Sequence, residues 1–557
     1  MDDSIIGVVP AQERAARKRL FDALEETLPV RFEGRAYGEL EGLDGVLLLP
    51  GADPGAAGIP PDMPRLVAGA DEAAVAPPAG LGTAPALAGA QLVLGDRAPL
   101  DRRLRGQRLR DASVRHAGAL QAGGCDVVLA TRGGQPLWIA RGARSGAHDD
   151  VAVAPAELGE DEPLRERLRD GRFLALAALV HFTRAVCAPL GWRPPPLRAC
   201  FLFDDPNLHW GSYGHLRYRE LVEEADRHEY HVAFATVPLD GWYVHPRTAR
   251  LFRERADRLS LVVHGNDHTH RELARPAAAD ERRAMLAQAL RRLAAFERRS
   301  GVPVGRIMVA PHGVCSREVA RELVPLGFEA LCISRPYPWL ARPPKSWLER
   351  PPDSSPLAGW EPASVVDSGL PVILRRAFGA PDEDLALRAF LDQPLVLYGH
   401  HGDMAGGVDR LAELATLVNG LGEIDWMSPA QIALTNVATR EAGDTLRVRM
   451  FARRARVELP AGIARVVVDV PALQAGDTPD RVVCGAARGT PGKAIALGAG
   501  TDANAGAIEI RLLCSAATDA TGVPAPARRH WPVARRLLGE TRDRLVPVYR
   551  RTTAGWR

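Results

Sequence analysis

The chain has 557 residues, with 71 basic and 68 acidic side chains for a formal net charge of +3, and is 46% hydrophobic and 25% charged. That length exceeds what one core serves and implies roughly two to four domains of ordinary globular composition; the balanced charge gives no bias towards nucleic acid. Seven scattered cysteines without a Cys-x-x-Cys pair argue against a disulfide framework and against a thiolate zinc site. The first residues lack a basic segment followed by a long apolar one, and the longest apolar run, Phe173–Val180, falls short of the ~20 residues of a membrane span. A cytoplasmic chain without a membrane span is expected.

In chain order, Ser4–Val9 and Gly45–Pro50 read as buried strands, with Leu20, Ala23, Leu24 and Leu28 at helical spacing between them. With a further strand at Gln91–Leu94, this predicts an open α/β domain over 1–95. Residues 96–192 predict a β module and a helical connector. Gly133-Gly134 between two β-rich runs marks a hairpin, and 162–188 reads as helical. Prolines 194–196 then form a stiff linker.

Over 193–440, β-like runs at 199–203, 231–235, 259–263, 306–310, 329–333, 371–374 and 394–398 alternate with helical ones at 215–228, 280–299 and 316–325. This alternation predicts a (β/α) barrel, seven-stranded in preference to eight, with a doubly wound sheet as the alternative. Period-two runs over 441–520 predict a β-sandwich, and 521–557 a tail whose helix, Trp531–Leu545, packs back on an earlier domain. The fold class is therefore multidomain α/β: a central barrel, an N-terminal α/β domain with a small β module, and a C-terminal β-sandwich.

Eleven of the fifteen histidines fall between 209 and 401. Four strand ends carry chemistry: Asp204-Asp205, His264 with His268, His312, and His400-His401. In a barrel these ends line one face, where strand-to-helix loops build active sites. One aspartate with two imidazoles is a common ligand set for zinc and related divalent ions, leaving positions open for water and substrate. The second carboxylate is then free to act as a general base.

Phe203-Asp204-Asp205 resembles the Thr-Phe-Asp-Asp motif of the polysaccharide deacetylase superfamily (NodB homology, carbohydrate esterase family 4), and His264-Gly-Asn-Asp-His268 resembles its His-Ser/Thr-x-x-His motif. Ala310-Pro311-His312-Gly313 is similar to its Arg-x-Pro-Tyr-Gly motif, and Leu395–His401 to its late Leu-x-His strand. The resemblance covers about 198–440. It implies Asp204 as general base, Asp205, His264 and His268 as ligands of a divalent metal ion, zinc by preference, the His312 backbone amide at the oxyanion, and His400 or His401 as general acid. His400 is preferred, as the first residue beyond the strand.

Three positions depart from the pattern. Gly265 replaces a Ser or Thr that stabilises the loop, leaving Asn266 or Thr269 to compensate; Val309 stands where an Arg would hold the catalytic Asp; His312 replaces an aromatic Tyr. The reading implied is a metallohydrolase removing an acetyl or other acyl group from an N-acylated carbohydrate. The alternatives are a catalytically degenerate glycan-binding barrel and a glycosidase using Asp204 with a distant carboxylate. Tyr337, Trp347 and Trp360 in a proline-rich loop, with His209-Trp210 and Trp242-Tyr243, are candidate faces for a sugar ring.

Overall fold

The computed structural model describes residues 3–52, 58–71, 91–111, 120, 122–142, 149–159, 173–334, 364–365, 370–379, 382–470, 481–497, 506–513, 517–527 and 530–554. The chain divides into two compact units between Trp192 and Arg193. Among the described residues no helix is long and apolar enough to cross a membrane.

The first unit is built on one nine-stranded sheet. Its parallel part runs Val30–Gly34, Ser4–Val9, Gly45–Leu48, Arg65–Asp71 and Asp149–Ala154. Its antiparallel part continues through Gln135–Arg141, Val127–Arg132, Gln91–Leu94 and Arg108–Arg110. The two modules expected at 1–95 and 96–192 thus share a sheet. Periodicity finds strands but does not say which of them pair. The hairpin turn has Gly133 and Gly134 at φ 56° and 81°, the left-handed pair that a two-residue turn needs. Helix Phe173–Cys187 lies against the sheet, and Leu174, Ala177, Leu179 and Val180 are fully buried.

The second unit holds a closed barrel of seven parallel strands: β1 Leu197–Asp204, β2 Val232–Thr236, β3 Leu259–His264, β4 Val304–Val309, β5 Ala330–Ile333, β6 Pro371–Ala377 and β7 Leu395–Gly399. It closes because β1 pairs with β7 over Ala199–Phe203 and with β2 over Phe201–Asp204. The doubly wound alternative is therefore set aside. Helices Tyr218–His228, Ala279–Ser300, Arg317–Leu323, Asp382–Phe390 and Asp409–Asn419 follow strands, as expected of alternating βα units.

Alternation along the strands sorts the core into two parts. Phe201, Phe203, Phe234, Val263, Met308 and Leu397 join the large cluster that includes the surrounding helices. Cys200, Leu202, Ala235, Val262, Ile307, Cys332 and Ile373 form the barrel interior with Ile432 and Ala433 of helix Pro429–Leu434. That helix approaches the start of β4, where Ala430 abuts Gly305. The interior is thus packed and closed at the end where strands begin, leaving chemistry to the other end.

Beyond the barrel, two four-stranded sheets over Val437–Leu513 enclose a core of Val448, Met450, Val457, Val466, Val482 and Ile510, the expected β-sandwich. The chain ends in helix Trp531–Ala554.

Candidate metal centre at the barrel mouth

The interior alternation continues past the apolar layers. Two residues beyond Leu202, Val262 and Ile373 stand Asp204, His264 and Arg375, so the same parity that fills the barrel aims these polar side chains into its mouth. Asp204 and Arg375 are 4% and 2% exposed. Arg375 Nη1 and Nη2 donate to Asp204 Oδ1 and Oδ2 at 2.5 and 2.8 Å, a bidentate fork. Its guanidinium lies 4.0 Å from the Tyr398 ring centroid. While Val309 on β4 is fully buried and apolar, Asp204 is thus held by an Arg from β6. Its signal in the sequence was an Arg in phase with Ile373 at the end of an apolar run.

Asp205 leaves the strand at φ 79° while its N–H still donates to the Ala235 carbonyl at 3.1 Å. His268 and His312 also hold positive φ, 53° and 58°. Half of the six described non-glycine residues in that region thus fall at this mouth, where stored strain is commonly functional.

The loop between the two histidines is organised by Glu272. Its buried carboxylate accepts the N–H groups of Asn266, Asp267 and His268 at 2.8, 2.9 and 3.1 Å. Gly265, at φ 64°, has to be glycine, since a Cβ there would run into the Glu272 carboxylate and approach Pro311 Cγ to 2.7 Å. The compensation expected from Asn266 or Thr269 is thus corrected: Glu272 stabilises the loop, while the Asn266 side chain turns to Gln288 and Arg292. A glutamate four residues beyond the second histidine carries no spacing signal of its own.

Among the described residues, Asp205, His264 and His268 form a cluster whose ligand atoms all lie within 4.8 Å of one another. His264 Nδ1 donates to the Val309 carbonyl at 3.0 Å, which fixes the tautomer and leaves Nε2 as the electron pair for a cation. His268 Nε2 stands 3.4 Å from Asp205 Oδ1. Burial pushes both imidazoles down, His268 to about 3, and so keeps them neutral. Burial would raise the Asp205 carboxyl, but His268 and Arg536 beside it hold it well below the usual carboxylate range. At Asp204, burial is likewise outweighed by Arg375. Two neutral imidazoles and one carboxylate fit a zinc-type ion by donor chemistry.

The remaining expected residues separate. His312 lies in the Pro311–Gly313 turn, its ring 5.0 Å from that of His268 and 5.3 Å from that of His270. His400 is near enough to Asp204 and Asp205 to lower both carboxyls. His401 instead turns to Tyr213 and His215, with Nε2 3.7 Å from Asp543. The loop carrying Tyr337, Trp347 and Trp360 lies outside the described residues. Trp210, Trp242 and Tyr243 stand exposed on the rim.

The C-terminal helix covers this mouth. Arg536 donates to Asp205 Oδ1 at 2.9 Å and also binds the Asp240 carboxylate. Arg535 reaches the His268 carbonyl at 2.6 Å, and Glu540 lies 3.0 Å from His209 Nδ1. Nothing in the sequence assigned these residues to the site, because they follow the barrel by more than a hundred positions.

No family model matches the chain, and no curated protein matches it. Solved structures do. A putative polysaccharide deacetylase from Mycobacterium smegmatis matches with 18% identity, 43% of this chain and 90% of the other covered, at a TM-score of 0.28. A family 4 carbohydrate esterase from Streptomyces lividans, in complex with acetate, matches with 11% identity, 41% and 88% covered, at 0.24. A pseudoenzyme of the same family from Bacillus anthracis matches with 13% identity, 41% and 62% covered, at 0.23.

Proposed function

We propose that the second unit is a metal-dependent hydrolase that removes an acyl group, acetyl by preference, from an N-acylated carbohydrate. The observation that carries this reading is the meeting of Asp205, His264 and His268 with Asp204 at the mouth of a packed barrel. When bound, a divalent cation supplies a water of lowered pKa and polarises the amide carbonyl. Asp204 takes the proton of the attacking water, and the Arg375 fork keeps it ionised and fixes its orientation. Each oxygen of that carboxylate keeps a lone pair for a further hydrogen bond. The His312 backbone amide serves the oxyanion, and His400, exposed just past β7 and within electrostatic reach of both carboxylates, protonates the departing amine.

The test uses chelator-stripped full chain with zinc or cobalt added, scored for acetate released from N-acetylated sugars, sugar nucleotides and polymers. Activity restored by metal and lost in His264→Ala and Asp205→Asn is expected. Activity without metal, or intact in Asp205→Asn, sinks the reading. The degenerate glycan-binding alternative is favoured by one observation, the Arg536–Asp205 ion pair at the mouth. It requires glycan binding with no acetate release under any metal.

A further inference from the structure

We propose that the C-terminal helix is an inhibitory cover, and that Arg536 on Asp205 and a divalent cation at Asp205, His264 and His268 exclude one another. The inference rests on the metal reading of that cluster.

Two independent features carry it. The first is the position of the charge. Arg536 Nη1 lies 2.9 Å from Asp205 Oδ1, the same oxygen that stands 3.4 Å from His268 Nε2. A cation shared by that oxygen and that imidazole would sit about 2 Å from each, and so no more than about 5 Å from Arg536 Nη1, where like charges repel strongly. Arg536 cannot turn aside while the helix stays, because Asp240, 5% exposed, grips the same guanidinium and the Asp205 carbonyl accepts from it at 3.2 Å.

The second feature is the orientation of the helix. The face laid on the barrel is polar: Arg535, Arg536, Glu540, Asp543 and Arg544 reach His268, Asp205, His209, Tyr213 and Ser212. The face turned to solvent carries Trp531, Leu538 and Leu545, seven residues apart, at 68%, 66% and 59% exposure, with Arg542 among them. An ordinary surface helix buries its apolar stripe. Among its described residues this one is held mainly by ion pairs and hydrogen bonds, with Pro532 buried and Val533 and Leu537 half-exposed beside Leu239 and Trp242, so its docked state is open to release by salt and by a competing cation.

The experiment uses full chain stripped with chelator and zinc alone as the probe. Calorimetry is run on the wild type, Arg536→Met and Glu540→Gln, with His264→Ala as the control that loses the ligand. Hydrogen exchange of amides 531–545 is followed with and without zinc. Arg536→Met is expected to bind zinc at least ~10-fold more tightly, from removal of a like charge. Glu540→Gln, which loosens the helix at His209 without touching Asp205, moves the same way by less. In the wild type, zinc and 0.5 M salt each speed exchange in the helix. Equal or weaker zinc binding in Arg536→Met, or helix exchange unmoved by zinc, overturns the proposal. If Arg536→Met does not fold, Glu540→Gln and the wild-type exchange decide. Zinc bound by the wild type, lost in His264→Ala and unchanged in Arg536→Met removes the cover alone; zinc bound by none removes the metal reading with it.

Discussion

Arg375→Met is the perturbation with the clearest expected size. Arg375 and Asp204 are both almost wholly buried and joined by two hydrogen bonds, and Arg375 also stacks on Tyr398. With charge centres about 4 Å apart and an effective dielectric near 20, the attraction is roughly 4 kcal/mol. Removing one partner of a buried pair leaves a desolvated charge behind, for a cost of about 3–5 kcal/mol. In a chain of two units a global unfolding free energy is not one quantity. The assay is therefore hydrogen exchange of the β1 amides Phe201–Asp204, which report the barrel's own opening. At pH 7 a loss of about 3 kcal/mol corresponds to exchange roughly a hundredfold faster. Burial would raise the Asp204 carboxyl but Arg375 holds it below its ordinary value, so the stabilisation of this pair is present above the unfolded value of 3.8 and fades as pH falls through the folded one. The penalty of the variant should shrink in the same direction. Combined with Asp204→Asn in a double-mutant cycle, the pair should show coupling above about 1 kcal/mol. Exchange within a few-fold of wild type at pH 7, or additive single effects, would refute the buried fork as the support of Asp204.

Glu272→Gln keeps the shape but puts an N–H₂ among three N–H donors. It should cost about 2–3 kcal/mol in the stability of the 264–272 loop, read by local exchange, and weaken zinc binding. Gly265→Ala should be at least as harmful, by about 2 kcal/mol or more, since it meets both a positive φ and the Glu272 carboxylate; a well-ordered, zinc-binding variant would contradict this. Docking of the C-terminal helix should depend on pH from both sides. Burial would raise the Glu540 carboxyl, but His209 and Arg544 bring it to about 2, so its contribution is full above 4.5 and lost as pH falls towards 2. Burial lowers His209, but Glu540 and the Asp240 carbonyl raise it overall, so its contribution is full below 6.5 and lost as pH rises through the folded value. Emission from Trp210 and Trp242, beside Arg544 and His209, should stay constant between 4.5 and 6.5 and shift outside that window. A flat profile from pH 3 to 9 would rule this out.

The chain order alone determined the βα alternation, the period-two sandwich and the two strand ends at 204–205 and 264–268. Each is a local pattern: apolar runs of strand length, amphipathic helices between them, and polar residues placed where a run stops. Closure of the barrel was not local, since it needs β1 to pair with both β2 and β7, strands some thirty and two hundred residues away. The supports of the centre were equally out of reach. Val309 read as a missing Arg because a motif compares positions along one strand, whereas Arg375 reaches Asp204 from another strand's interior face. Glu272 passed unnoticed because its role is acceptance of backbone N–H groups, which no side-chain pattern records. His400 and His401 were neighbours in sequence, and only the turn after β7 leaves His400 exposed and sets the His401 ring against Tyr213 and His215. The helix pattern at 531–545 was plain, but the apolar stripe by itself predicts the opposite face buried. In the structure the charged loops at the barrel mouth meet its polar face instead, with Arg536 paired to the Asp205 and Asp240 carboxylates and Trp531, Leu538 and Leu545 left exposed.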